Sequence, residues 1–424
     1  MMQNACAVYA DTDNMHLAHT PPSRWHVLRS RAYLLLLAAQ FASLLGDFFN
    51  YVAVAWLVLE LTGSNLAVGT VLAAASVPRA VLMLLGGAVS DRFSPRSSMI
   101  LGGLARGFVM GALAILALTH SVQLWELFVG SFLVGTIAAF FLPASTSMLP
   151  RVVASEQLEA GNAFMTLSRF GAMVLGPALG GVMVAAIGAG AAFAADAVGY
   201  AVAGLLVTFL PTATVAASGF AKDALRDIWE GIVHVWNDMP LRTTLAVIAV
   251  VNFLGLPGVE VGLPAIAYQR FDQGAVALGG GYAAFGLGAV AGALGATAVP
   301  APRLVWVMVG TMVGFGASLA AAGLVPSLPL LMLALGVMGV LAGASNPYLI
   351  SWLQRRTEPR MQGRVMSLVM LASVGLEPPG LALGGVVASR NLGLLFWGAG
   401  MLIALTGLAA SVSRSVRAER GLSR

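Results

Sequence analysis

Apolar residues fill this chain in long, even stretches, each closed by a short polar turn. Twelve stretches reach the roughly 20 residues a helix needs to cross the hydrocarbon core of a bilayer. They run from Tyr33 to Leu59, Asn65 to Ser90, Ser98 to Leu118, Leu124 to Leu149, Gly161 to Ile187 and Ala191 to Leu210. After a break come Leu241 to Tyr268, Leu278 to Val299, Leu304 to Leu324, Leu328 to Trp352, Val365 to Ala388 and Leu392 to Ser413. They are too long and too uniformly apolar for the alternating strands of a membrane β-barrel. The pattern predicts an all-α, polytopic membrane protein with 12 transmembrane helices in two six-helix pseudo-repeats.

The break, Pro211 to Pro240, is the one long polar insertion. Within Ala221 to Asp238, Leu225, Ile228, Trp229, Ile232, Val233 and Trp236 recur at helical spacing. Lys222, Asp223, Arg226, Asp227 and Glu230 lie between them. That is the pattern of an amphipathic helix lying in a membrane interface. The predicted organisation is a tail over 1–32, a six-helix bundle over 33–210, a linker over 211–240, a second bundle over 241–413, and a tail over 414–424.

Composition agrees with this reading. The chain is 58% hydrophobic over 424 residues, with a mean hydropathy of +0.87. A soluble fold of that length has no place for so much apolar surface, whereas a bilayer solvates it. The 50 glycines suit helices that approach closely. Cys6 is the only cysteine, so neither a disulfide framework nor a thiolate metal site is expected. Met1 to Ser30 is polar and lacks the apolar run of a signal peptide, so it reads as a disordered tail, with Met15 as an alternative start.

Charge gives the orientation. The formal net charge of +5 reads as topology signals and not as a nucleic-acid surface. Lys and Arg crowd one set of loops and tails, including Arg92, Arg96, Arg151, Lys222, Arg355 and Arg364. The opposite set holds only Arg270 and Arg390. Both termini and the linker are therefore expected in the cytoplasm, and the chain in the cell inner membrane. An internal repeat supports two halves. Leu149-Pro150-Arg151 followed by Gly176-Pro177-Ala178-Leu179-Gly180-Gly181-Val182 matches, without a gap, Leu353-Gln354-Arg355 followed by Gly380-Leu381-Ala382-Leu383-Gly384-Gly385-Val386.

Between spans two and three lies the charged turn Gly86 to Arg96. With Gly87, Asp91, Arg92 and Arg96 it resembles the signature loop of the major facilitator superfamily of secondary transporters, departing from it at Ser94 and Pro95. Gly176, Pro177, Gly180 and Gly181 resemble the fifth-span motif of the superfamily's drug and proton antiporters. Gly46-Asp47, Trp56-Leu57, Glu60 to Ser64, Asn162-Ala163 and Gly363-Arg364-Val365 resemble the branch that includes the enterobactin exporter and macrolide efflux pumps. The resemblance implies two halves rocking about a central site, with the charged turn as a cytoplasmic gate. The alternative is that Asp91, Arg92 and Arg96 only fix topology.

An ionisable side chain within a span costs at least ~2.5 kcal/mol on insertion scales and so calls for a reason. Asp47 and Arg79 fall near the middle of spans one and two, which run antiparallel, and are expected to pair, either as a switchable ion pair or as a structural one. Glu377 precedes Pro378-Pro379-Gly380, and Glu260 lies between Pro257 and Pro264, where loosened helices expose backbone carbonyls. Asp47 and Glu377 are the leading candidates for proton coupling. Glu260 is expected either to attract a cationic substrate or simply to face water near the outer mouth. Arg106 and Arg169 are expected to snorkel towards the cytoplasm, where Arg106 is long enough to reach towards Asp91. Asp196 is expected to be an interfacial group.

No histidine falls within a span, and no Gly-Lys-Ser/Thr follows a glycine run, so neither a histidine relay nor ATP is expected. No metal and no cofactor are expected, with the proton motive force as the energy source. The expected function is proton-coupled export of a small amphipathic molecule, a siderophore or drug, by a monomer. Import, or lysophospholipid translocation by the same fold, is the alternative. A membrane-embedded enzyme or a receptor fits less well, because histidine and cysteine are missing from the spans.

Overall fold

A computed structural model of the chain describes residues 24–92, 94–211, 224–298 and 304–412. The described residues fold into helices joined by short turns. The first six spans are α1 (Arg31–Thr62), α2 (Asn65–Arg92), α3 (Pro95–Leu118), α4 (Leu124–Val152), α5 (Leu158–Ile187) and α6 (Ala189–Thr208). The linker helix α7 is Ala224–Asn237. The seventh span is broken into α8 (Met239–Pro257), a π-turn over Gly258–Gly262, and α9 (Leu263–Arg270). Then come α10 (Ala275–Ala298), α11 (Leu304–Ala322) and α12 (Leu328–Arg356). The eleventh span is broken into α13 (Pro359–Val374) and α14 (Glu377–Arg390), and α15 is Leu392–Val412. Among the described residues, eleven spans are long and apolar enough to cross a membrane, and the apolar part of α11 is shorter.

Local chemistry sets the ends. Ser30 caps α1 by accepting from the Tyr33 amide at 3.3 Å. Gly63 ends it in the left-handed region, at φ 60°. At the start of α4 the Glu126 carboxylate accepts from the Gln123 amide at 2.8 Å. Large apolar side chains point outward along the shafts, with Leu101, Phe108 and Ile115 of α3 all exposed. A bilayer is the solvent in which that surface is stable.

Two groups of spans emerge. In the first bundle α6 packs on α1 and α3, α1 on α5, and α4 on α2 and α3. In the second, α12 packs on α10 and α11, while α15 packs on α11 and α8. The bundles meet along α5 against α10 and α2 against α14. The start of α1, the end of α15 and α7 lie at one end, here called the terminal end, and the tight interspan turns at Gly63, Gly188, Gly274 and Asn391 lie at the far end.

The seam between bundles is tight at the far end, and glycine is what permits it. A Cβ on Gly279 would lie 2.9 Å from the Gly181 Cα, and one on Gly69 would lie 2.9 Å from the Gly385 Cα. Gly181 and Gly385 are the equivalent positions of the internal repeat, so the same contact is made twice, once on each side of the molecule. The Asn65 amide donates to the Ala388 carbonyl at 3.1 Å. Trp56 packs edge-on against Tyr268 at 5.3 Å.

One expectation is corrected at the start of the chain. Arg24–Arg29 is not disordered but forms a 3-10 turn, because Val27 is buried in the core and Trp25 meets the Phe164 ring at a tilt, with centroids 5.6 Å apart. The amphipathic helix of the linker is confirmed over the described part, Ala224–Asn237, with Trp229 and Trp236 exposed. Its inner face rests on α13, where the Arg364 guanidinium meets the Glu230 carboxylate at 2.6 Å.

Candidate functional site

Between the bundles lies a cavity of about 1270 Å³. Towards the terminal end its walls include Gln40, Asn162, Arg169, Thr243 and Trp352, so it extends in that direction, away from the far-end seam. Methionines and aromatics cover much of the wall, with Phe48, Met165 and Met173 from the first bundle and Phe285, Met312 and Phe315 from the second. Such side chains offer polarizable contact that adapts to varied apolar shapes. Gln40 Oε1, Asn50 Oδ1 and Arg79 Nε are buried with no protein partner among the described residues.

Two charged clusters face this cavity, and neither is the pair expected from the sequence. Arg79 of α2 does not pair with Asp47. Its guanidinium binds the Glu377 carboxylate, which opens α14 in the other bundle. Ser76, one turn before Arg79, donates to the same carboxylate oxygen at 2.6 Å. The reason is packing: α2 lies against α4 and α14, so the Arg79 face of α2 turns to the second bundle. The break at Gly375–Leu376 brings the first turn of α14 to the cavity, with Glu377 on it. The bridge sits where the far-end seam stops and the cavity begins. Glu377 is 8% exposed and Arg79 29%, so the pair is largely removed from water and its breaking is costly.

Glu260 lines the cavity from the π-turn, within electrostatic range of Glu377 and Arg79. A π-turn adds a residue to the helical turn and rotates the next stretch of helix about its axis, a distortion frequent at functional sites. The prolines on either side read as loosening this span; the distortion they flank is this turn. Glu260 therefore belongs with the bridge and not at an outer mouth.

Asp47 belongs to the second cluster, wholly within the first bundle. Its Oδ1 accepts from the Tyr200 hydroxyl at 2.5 Å and meets Arg106 Nη1 at 3.4 Å. Arg106 does not snorkel. It is 2% exposed, sandwiched between the Phe141 ring at 4.0 Å and the Tyr200 ring at 4.2 Å, and donates to Ser43 at 3.1 Å. The aromatic slot makes the mid-membrane position tenable, since a guanidinium stacks on ring faces and is weakly hydrated. Asp196 is not interfacial either. Helix α6 begins at Ala189, so Asp196 lies two turns inside it and is fully buried. Arg106, Tyr200 and Asp196 are the groups that sequence reasoning failed to place.

The remaining candidates separate. Gly176 receives Phe48 and Gly180 receives Phe49, both of α1, while Gly181 faces Gly279 in the other bundle. The antiporter-like motif thus joins α5 to its own bundle and to the far-end seam. Arg96 donates to the Val207 carbonyl at 3.3 Å and to that of Thr208. It satisfies the open end of α6, where a cation also complements the helix dipole. The side chains of Gly87, Asp91 and Arg92 lie outside the described residues, as does Lys222. At the far end, Arg270 donates to the Gly323 carbonyl at 2.9 Å, closing α11.

Known proteins match this architecture throughout. The profile described as Major Facilitator Superfamily covers residues 36–376. The multidrug efflux pump Tap of Mycobacterium tuberculosis is 28% identical over 397 residues, which span 90% of this chain and 93% of the relative. The enterobactin exporter EntS of Citrobacter koseri is 26% identical over 358 residues, 84% of each chain. Among solved structures, a variant of the nucleoside transporter NupG superposes with a TM-score of 0.72 at 12% identity, over 89% of this chain and 99% of that one. A bacterial homologue of the human lysosomal transporter Spinster, in an inward-facing and unoccupied conformation, superposes with a TM-score of 0.66 at 14% identity, over 92% and 97%. With eleven membrane-length helices and a shorter apolar one among the described residues, arranged in two bundles about a central cavity, and a matching profile over most of its length, the chain belongs to the major facilitator superfamily of membrane transporters.

Proposed function

We propose that the chain is a proton-coupled exporter of small amphipathic molecules, working by alternating access with the terminal end in the cytoplasm. In this reading the conformation is open to the cytoplasm, with the far-end seam closed. The observation that carries it is the Arg79–Glu377 bridge, which ties the two bundles together at the inner limit of the cavity. A proton on Glu377 removes the charge that holds Arg79, so the seam loses its central tie and the bundles are freed to rock. Only a group whose interactions differ between two conformations can shift their balance, and a bridge between moving bodies is such a group. The methionine-rich, aromatic wall with few charges suits an amphipathic cargo, and Glu260 beside the bridge favours a cationic one. The efflux and exporter names of the relatives point the same way. Gly87, Asp91, Arg92 and Arg96 would form the gate that closes the terminal end in the opposite state.

The test is transport in everted membrane vesicles, with ethidium as the probe. An acid interior is expected to drive ethidium accumulation by the wild type. Glu377→Gln is expected to abolish ΔpH-driven accumulation while retaining exchange of ethidium across the membrane without a gradient. Full ΔpH-driven accumulation by Glu377→Gln would refute the coupling role. Accumulation only in right-side-out vesicles would reverse the direction.

A further inference from the structure

The first bundle holds a buried acid that the bridge mechanism does not use. Asp196 is 0% exposed, and neither carboxyl oxygen has a hydrogen-bond partner among the described residues. It lies against the α1 backbone at Gly46, where an added Cβ would overlap its Oδ1 and come within 3.5 Å of the Tyr200 ring. The next residue of α1 is Asp47, whose side chain is 37% exposed to the cavity. The groups facing Asp196 are Asp47 from α1, Arg106 from α3 and Tyr200 from α6 itself. Helix α5 also touches α6, and its charged residues are Glu159 and Arg169.

Charge counting gives the cluster its logic. One guanidinium faces two carboxyl groups. With both acids ionised, Asp196 would hold an uncompensated negative charge in the protein interior, which is strongly unfavourable. With one proton aboard, the cluster is neutral. Arg106 is not committed to Asp47. Its contact there, at 3.4 Å, is longer than the ~2.7–2.9 Å of a tight charge-assisted hydrogen bond. It also shares donors with Ser43 and the Gly102 carbonyl.

We propose that Asp47, Asp196, Arg106 and Tyr200 form a proton-holding site within the first bundle, in which two carboxyl groups share one proton and Arg106 neutralises whichever has given it up. In the conformation described, Asp196 carries the proton and Asp47 is the anion. When the proton passes, the O–H bond at Asp196 breaks and one forms at Asp47. The guanidinium then turns to Asp196. The charge of the cluster does not change, but the charge shown to the cavity at Asp47 falls from negative to zero. The site thereby switches the cavity's attraction for a cation without burying net charge. It is separate from the Arg79–Glu377 bridge and does not depend on that bridge being proton-coupled.

Infrared spectroscopy of the full chain in lipid nanodiscs at neutral pH tests this, because neutral carboxyl groups and carboxylates absorb separately. Asp196→Asn is expected to lose one neutral-carboxyl band. Asp47→Asn is expected to lose that same band and to keep its carboxylate absorption, because Asp196 must then ionise to balance Arg106. Asp47→Glu should restore the wild-type spectrum, and Glu377→Gln should leave these bands in place. If Asp47→Asn instead loses a carboxylate and keeps the neutral-carboxyl band, the two acids do not share a proton and the proposal falls. It falls equally if Asp196→Asn loses a carboxylate. Should Asp196→Asn fail to fold, the Asp47→Asn and Asp47→Glu spectra decide alone.

Discussion

The far-end seam makes a quantitative prediction at Gly279. An alanine there places its Cβ 2.9 Å from the Gly181 Cα and 3.1 Å from the Gly181 nitrogen, and drives it into the Pro177 carbonyl oxygen. Carbon atoms in favourable contact sit at about 3.5–4.0 Å, so the helices must separate by roughly 0.6–1 Å. The obstacle is backbone on backbone, with no side chain free to turn aside. Overpacking of this kind costs typically 1–3 kcal/mol. The penalty falls on the state in which the seam is closed, and it vanishes when the bundles part. Gly279→Ala should therefore shift the balance towards the far-end-open state by about 5–150-fold. Spin labels at Ser121 and Gln273, both exposed and in opposite bundles at the far end, report the separation by pulsed electron resonance after Cys6 is replaced by serine. The population at longer distance should rise. Gly295→Ala and Gly310→Ala serve as controls, because an added Cβ meets nothing within 4 Å at either position. A distance distribution for folded Gly279→Ala that matches these controls would refute the reasoning.

Other substitutions probe other contacts. Asn65→Ala removes the hydrogen bond to the Ala388 carbonyl on the α2–α14 side; a typical bond contributes about 0.5–1.5 kcal/mol, so the same labels should report a smaller opening, additive with that of Gly279→Ala because the contacts are separate. Arg106→Ala empties the slot between Phe141 and Tyr200 and removes the cation facing Asp47, and thermal unfolding in detergent should show a loss of about 2–5 kcal/mol, the range for truncating a large core side chain. Arg106→Lys should be intermediate, since lysine keeps the charge but not the stacking or the fork of donors. Arg364→Ala breaks the half-exposed pair with Glu230, worth at most about 1 kcal/mol; the expected result is faster proteolysis within 211–240 with little change in the unfolding temperature.

Much of this architecture was legible from apolar length alone. A span must satisfy its backbone within itself and present some 20 apolar residues to lipid, so twelve stretches predict twelve spans. The breaks at Glu260 and Glu377 were signalled by the prolines beside them. What the pattern did not reveal was which way each helix faces. The shafts are apolar all round, so no polar stripe marks an inward side, and counting residues gives depth without azimuth. Asp47 and Arg79 were therefore matched by depth and paired wrongly. Arg106 was read by its distance from the helix end, because nothing local announces that Phe141 and Tyr200, 35 and 94 positions later in the chain, close around it. Asp196 was placed at an interface because α6 begins earlier than its apolar run suggested.

The two charged clusters differ in what they connect, and in the proposed mechanism that difference would divide the labour of transport. The Asp47–Arg106–Tyr200 cluster lies within one bundle, so rigid rocking leaves its distances unchanged and its energy cannot favour either conformation. What it can change is the charge that the cavity offers to a ligand. The Arg79–Glu377 bridge joins the bundles, so in the proposed mechanism its energy belongs to one conformation and its protonation would act on the conformational balance directly. A device that only changed affinity would bind and release on the same side. A device that only changed conformation would rock without cargo. In the proposed mechanism, export against a gradient draws on both effects, and they sit at separate places: an acid pair within the first bundle, with Asp196 buried and Asp47 open to the cavity, and an ion pair across the seam. The consequence is a specific asymmetry. Neutralising Asp47 should weaken binding of a cation in both conformations equally, whereas neutralising Glu377 should alter how often each conformation is visited, even when the cavity is empty.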